Sequence, residues 1–226
     1  MECTTYFWKK VVILFFDSYV YSSAWYGGLV LKNGVKIFAS SGAKLIFNYT
    51  GTNSDVLTYY SPLNAGTGGF ELCNVTIEAS NCRYALHDEK MDYTDVYRNI
   101  YDHCNFKLDN SNNSVWHARN CIGGGLGKSG EIVIDGCYFE SDIEPNYYDI
   151  VSYHNSSNTN AKSNIVIKNS YIKSGRFKFG YHGTSTNMTK VLIAGCKATR
   201  EPLLWQEQPT DSTVNMEITQ WNNIWS

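Results

Sequence analysis

The chain has 226 residues, 19 basic and 21 acidic side chains and a formal net charge of −2. That length supports a sizeable core, and the near-neutral balance, without any Lys/Arg block, argues against the basic stripe that nucleic acid or an anionic membrane requires. Seventeen Tyr, ten Phe and six Trp beside only four Pro favour strands punctuated by polar turns, an all-β chain.

Seven cysteines are scattered without a C-x-x-C pair, which excludes a zinc ribbon or a thioredoxin-type centre and predicts small, buried, reduced thiols. No metal or other cofactor is expected. At the N-terminus, the run Lys9-Lys10-Val11-Val12-Ile13-Leu14-Phe15-Phe16 has the outline of a signal peptide. Glu2 precedes it, Asp17 ends it after six apolar residues, and no clear cleavage site follows. It is also far short of the ~20 apolar residues of a membrane span. Residues 1–33 are therefore expected to form a lead-in strand or cap, truncated from a longer gene, with the repeating fold over 34–226.

From Leu72 onward one pattern recurs: an apolar residue, a spacer, Asn/Gly, Cys/Ser, a spacer, an apolar residue. It reads Leu72-Cys73-Asn74-Val75-Thr76-Ile77, Tyr101-Asp102-His103-Cys104-Asn105-Phe106 and Ile134-Asp135-Gly136-Cys137-Tyr138-Phe139. Ile167-Lys168-Asn169-Ser170-Tyr171-Ile172, Ile193-Ala194-Gly195-Cys196-Lys197-Ala198 and a decayed Ile218-Thr219-Gln220-Trp221-Asn222-Asn223 follow. The fourth position falls at 75, 104, 137, 170, 196 and 221, so the spacings are 29, 33, 33, 26 and 25 residues. A period of that size, in units that cannot bury their apolar face alone, predicts a single-stranded right-handed parallel β-helix of about six coils. Cys104, Cys137, Ser170 and Cys196 should stack as a buried ladder, and Asn74, Gly136, Asn169 and Gly195 should occupy a bend suited to left-handed backbone. Segments 109–114, 121–130 and 155–164 read as inserted loops.

A second register gives Ala85-Leu86-His87, Val115-Trp116-His117, Ser152-Tyr153-His154, Gly180-Tyr181-His182 and Leu203-Leu204-Trp205-Gln206. With the apolar member inward, period-2 alternation turns His87, His117, His154 and His182 outward, into an imidazole column about 14 Å long, the length of a short oligosaccharide. Arg83, Asp88, Glu89, Arg119, Asn155, Lys178 and Trp205 add the charges, amides and aromatic faces by which sugars are held. The bland alternative is a ladder of identical side chains with no ligand. Zinc is disfavoured, because imidazoles on successive coils project in parallel. The most concentrated acid/base candidates are His87, Asp88 and Glu89. Adjacent carboxylates point apart, however, so glycoside hydrolysis would need a pair from different coils, such as Glu89 with Asp149. Gly123-Gly124-Gly125-Leu126-Gly127-Lys128-Ser129 lacks phosphate-loop spacing and reads as tight packing at a coil corner. The sequons at Asn48, Asn74 and Asn187 read as turn and ladder residues.

Three motifs carry a resemblance: Asn81-Cys82-Arg83-Tyr84-Ala85-Leu86-His87-Asp88-Glu89, Ile122-Gly123-Gly124-Gly125-Leu126-Gly127 and Tyr153-His154-Asn155. Over residues 69–205 the chain resembles β-helix proteins of bacteriophages and prophages, of the pectate-lyase-like class and the tail-spike or tail-fibre type. The resemblance implies a virion-surface, extracellular role: a homotrimer that binds, and in some members cleaves, host surface polysaccharide. Three functions follow in order: a carbohydrate-binding adhesin, a polysaccharide hydrolase or lyase, and a structural appendage. An adhesin needs exposed aromatics and amides without opposed carboxylates. An enzyme needs that opposed pair in a groove, and a structural protein needs the column covered.

Overall fold

A computed structural model of the chain describes residues 11–15, 19–21, 29–48, 61–66, 68–89, 96–109, 120–126, 129–142, 148–155, 163–181, 189–206 and 216–226. The described residues hold strands and no helix. The strands visit three sheets in strict rotation, and every pairing is parallel.

The first sheet contains β1 (Val11–Phe15), β4 (Val35–Ala39), β7 (Glu71–Cys73), β10 (Val96–Asp102), β13 (Ser129–Asp135), β16 (Asn164–Lys168), β19 (Thr189–Ala194) and β22 (Met216–Trp221). The second contains β2 (Tyr19–Tyr21), β5 (Lys44–Asn48), β8 (Thr76–Ser80), β11 (Asn105–Asp109), β14 (Tyr138–Ser141), β17 (Tyr171–Ile172), β20 (Lys197–Ala198) and β23 (Ile224–Trp225). The third contains β3 (Leu29–Leu31), β6 (Leu63–Ala65), β9 (Tyr84–Glu89), β12 (Asn120–Leu126), β15 (Asp149–Asn155), β18 (Arg176–Tyr181) and β21 (Leu203–Gln206). This is a parallel β-solenoid. The segment read as a lead-in supplies the first strand of each sheet, since β1, β2 and β3 pair in register with β4, β5 and β6.

Alternation along each strand places one set of side chains inside. Leu72, Tyr101, Ile134, Ile167 and Ile193 form one buried row, and Ile77, Phe106, Phe139 and Ile172 another. Phe106 and Phe139 stack with ring centroids 5.4 Å apart at 14°. Burying one such ring is worth about 2–3 kcal/mol, so the stacked rows are the main source of cohesion between coils.

The bend between the first and second sheets follows the sequence pattern. Asn74, His103, Gly136, Asn169, Gly195 and Asn222 all have positive φ, between 52° and 64°, a conformation open to Gly and tolerated by Asn. From Asn74 to Gly195, each bend N–H donates to a carbonyl of the next coil: Asn74 to Asp102, His103 to Asp135, Gly136 to Lys168, Asn169 to Ala194 and Gly195 to Trp221. These bends therefore leave no buried donor unpaired. The next residue points inward: Val75, Cys104, Cys137, Ser170 and Cys196 are buried as expected. The Cys137 N–H donates to Ser170 Oγ at 3.1 Å, and the Cys104 N–H approaches Cys137 Sγ at 3.4 Å. The six cysteines among the described residues are thiols that form no disulfide with one another.

The last copy corrects the sequence register. Ala194 pairs with Trp221, so Asn222 takes the bend and Asn223, not Trp221, takes the ladder position. There the Asn223 Oδ1 accepts the Cys196 N–H at 2.8 Å. A two-residue slip preserves inside–outside parity, and with Trp221 in the repeat the polar bend carried too little signal to set the register.

Candidate functional site on the outer face of the third sheet

The middle of the third sheet is built on glycine. Gly123, Gly124 and Gly125 lie within β12, not at a coil corner or in an inserted loop as the sequence suggested. Glycine is depleted in strands, so the run reads as a turn; here it admits neighbours close to the backbone. A Cβ on Gly124 would lie 2.3 Å from the Asp88 carbonyl oxygen and 2.9 Å from the Tyr153 ring. On the outer side, a Cβ on Gly123 would strike the Tyr84 ring at 2.6 Å, and one on Gly125 would lie 3.2 Å from both Glu89 and His154.

Strand pairing sets two outward rows. One runs Asn64, His87, Gly123, Ser152, Lys178 and Leu203; the other runs Glu89, Gly125, His154, Gly180 and Trp205. His87 and His154, the two described members of the expected column, therefore do not share a row. His87 lies in the row of Ser152, whereas His154 lies one row over, in that of Glu89. The recurring apolar–His pair fixed which side faces out, but inserted segments differ in length and shift the register by two residues, which parity cannot detect. His117, Arg119 and His182 lie outside the described residues. Asn155 is the last residue of β15.

In the second row glycine separates the large side chains, so Glu89, His154 and Trp205 recur at two-strand intervals of about 9.6 Å. The His87 Nε2 and Glu89 Oε2 are 2.9 Å apart. That hydrogen bond, with the nearby charges of His154, His87 and Arg83, holds the Glu89 carboxyl below its ordinary value against the opposing effect of burial. The Arg83 guanidinium lies over the Tyr84 ring, 4.6 Å from its centroid, and that ring is 5.2 Å from His87. At the other end, the Lys178 ammonium is 5.4 Å from the Trp205 ring centroid. The His87, Glu89, Lys178 and Trp205 side chains all keep part of their surface in solvent.

Asp88 does not join them. It is fully buried in the solenoid interior, where its Oδ1 accepts from Asn99 Nδ2 at 2.6 Å and its Oδ2 from the hydroxyls of Tyr101 at 2.6 Å and Tyr153 at 2.9 Å. Burial first, and then the Asp88 charge, push both tyrosine hydroxyls well above the ordinary phenol value, so both stay donors. The acid/base cluster expected at 87–89 thus divides, with His87 and Glu89 outside and Asp88 a structural acceptor within.

Asp149 is held by Arg176 at 2.7 Å and Lys178 at 3.0 Å. It begins β15, and its carbonyl accepts from Asn120 Nδ2 at 2.9 Å. Glu89 stands at the other end of β9, so the two residues belong to opposite ends of their strands. Among the described residues no group of three or more His, Cys, Asp or Glu is arranged to hold a metal ion. A depression of about 450 Å³ lies away from this face, lined in part by Lys36, Gly69, Glu71 and Arg98. Its charges are committed, Lys36 to Glu71 and Arg98 to Glu131.

The sequence reading missed Tyr84, Ser152 and the spacer glycines Gly125 and Gly180. The signal for the spacers was present, as glycine at outward strand positions on alternate coils. Comparison with known protein families, curated proteins and solved structures finds no match.

Proposed function

We propose that this protein is a tail-spike- or tail-fibre-like surface component of a phage or prophage that binds host cell-surface polysaccharide along the outer face of its third sheet. The observation that carries this reading is the glycine-spaced row Glu89, His154 and Trp205, flanked by His87, Arg83, Tyr84 and Lys178. An aromatic face for an apolar sugar surface, a carboxylate and imidazoles for hydroxyls, and cations for acidic sugars are the groups that glycan sites combine. The two-coil interval is of the order of a disaccharide unit, so a linear polymer can repeat its contacts along the solenoid.

Binding without cleavage is the reading the geometry favours. Glu89 is held ionised and is poorly suited to donate a proton, and Asp149 is engaged by both Arg176 and Lys178. The test is a bacterial surface-glycan array probed with the wild-type chain, His154→Ala and Trp205→Ala, with release of reducing ends followed in parallel. Binding that falls at least about tenfold in each variant, without reducing ends, is expected. Undiminished binding in both variants, or no binding by the wild type, would sink the proposal. Reducing ends released by the wild type would instead establish the enzymatic alternative.

A further inference from the structure

The Glu89 carboxylate is shared between two imidazoles. Its Oε2 lies 2.9 Å from His87 Nε2 on the same strand. Its Oε1 leans over the gap that Gly125 leaves in β12, and His154 Cε1 comes in over the same gap from β15. Each of these two atoms is 3.2 Å from the point that a Gly125 Cβ would occupy, so glycine is what lets them face each other. The His87 side chain keeps 22% of its surface in solvent and Glu89 30%, which leaves the cluster within reach of a ligand.

The charges around this cluster fall into two sets. Arg83, with its guanidinium over the Tyr84 ring, offsets Glu89, and on β15 and β18 Asp149 is held by Arg176 and Lys178. Burial raises the Tyr84 phenol, which stays neutral, and Asp88 faces the interior. The strands β6, β12 and β21 bring no charged side chain to this face. Glu89 itself, held below the ordinary carboxylate value, stays ionised above about pH 5. Imidazole is the side chain whose charge ordinarily changes between about pH 5 and 8, so His87 and His154 are the described groups of this face that can switch it.

We infer that the third face takes carboxylate-bearing, acidic polysaccharide, and takes it more tightly as the pH falls because His87 and His154 become cationic around Glu89. The inference rests on the glycan-binding reading and narrows its ligand. With both rings neutral, Arg83, Glu89, His87 and His154 carry no net charge, and Glu89 repels an approaching carboxylate. With both rings protonated the same four side chains carry two positive charges, and Glu89 is engaged as a counter-ion. Protonated imidazole donates from both nitrogens, so His87 can keep Glu89 on Nε2 and give its Nδ1–H to a ligand carboxylate in a charge-assisted bond. The strands that bear the two rings are two spacings apart, about 9.6 Å, so successive acidic units of one polymer can meet both charges.

A glycan array that carries each acidic polysaccharide beside its carboxyl-reduced, neutral form tests this at about pH 5 and pH 8. The wild-type chain should bind an acidic polymer roughly tenfold more tightly at the lower pH, the size of two solvent-screened charge contacts, and added salt should shrink the difference. The carboxyl-reduced form should show no such rise. The double variant His87→Gln/His154→Gln, checked by thermal melting for an intact fold, should bind the acidic polymer at one level across the range, whereas Trp205→Ala, weaker throughout, should keep the rise. Comparison of the two polymer forms on the wild type decides the matter even if the double variant fails to fold. Binding confined to neutral polysaccharides, equal binding at both pH values, an equal rise for the carboxyl-reduced form, or a rise that survives in the folded double variant overturns this inference and leaves glycan binding standing. A wild type that binds no polysaccharide at either pH overturns the glycan-binding reading and this inference with it.

Discussion

Asp88 accepts hydrogen bonds from Asn99, Tyr101 and Tyr153 in the middle of the solenoid, and those donors have been chosen by position: each sits on an inward strand site where an aliphatic residue would serve packing equally well. Removing the acceptor strands all three. Asp88→Ala is expected to destabilise the fold by about 3 kcal/mol or more, measured by urea unfolding; a loss under about 1 kcal/mol would mean that the network contributes no more than an ordinary surface contact. Glu89, one residue on, makes the opposite kind of bond, outside and partly in solvent. Its folded-state value lies below the ordinary 4.5, so its contribution is complete above that pH and disappears as the pH falls through the lower folded value. Glu89→Gln should therefore be less stable than the wild type at pH 7, by under about 1 kcal/mol because the pair is solvent-screened, and the gap should close as the pH falls through that lower folded value. A gap that persists there would assign the effect to packing.

At the level of strands, β12 shows where sequence patterns end. Its sequence Asn120-Cys121-Ile122-Gly123-Gly124-Gly125-Leu126 lacks the alternation and β-branched enrichment by which strands are recognised, yet it is the central strand of its sheet. What keeps it there is supplied by neighbours: the Tyr84 ring, the Tyr153 ring and the paired strands β9 and β15. Gly124→Ala should cost about 2 kcal/mol, a fall of roughly 5 °C in Tm, because the new methyl would meet backbone atoms of Asp88 that cannot move aside. An unchanged Tm would place the strand's backbone elsewhere. By contrast, β10, β13, β16 and β19 were legible because each carries an alternating apolar stripe and ends in a bend-forming Asn, Gly or substitute followed by Cys or Ser. The histidine site was legible only as a list of outward residues. Their assignment to rows depends on strand register, which the sequence does not encode in its parity.

Across the whole molecule, cohesion runs along the stacking direction, through interior columns and not through any one coil. Cys73, Cys82, Cys104, Cys121, Cys137 and Cys196 are all buried. Burial, and then the hydrogen bond to Glu71, push the Cys73 thiol up to about 12, and burial likewise raises Cys82 and Cys121. These thiols should resist alkylation at neutral pH and become reactive together with unfolding. Mass spectrometry after a denaturant series would reveal it, and modification of Cys73 or Cys104 in the native protein would show that the stack opens locally.

The positive-φ bend from Asn74 to Asn222 also acts as an indexing stop. Each time the chain passes it, the direction of travel and the inward side chain are reset, so differences in length accumulated in the rest of a coil are not carried into the next. Coils of 26 and 33 residues can therefore sit side by side with their first and second sheets in line. Segments joining the second sheet to the third, and the third back to the first, are free to lengthen, shorten or be exchanged without disturbing the columns that hold the rod together. A fold indexed in this way can change what its third face recognises while leaving its frame untouched.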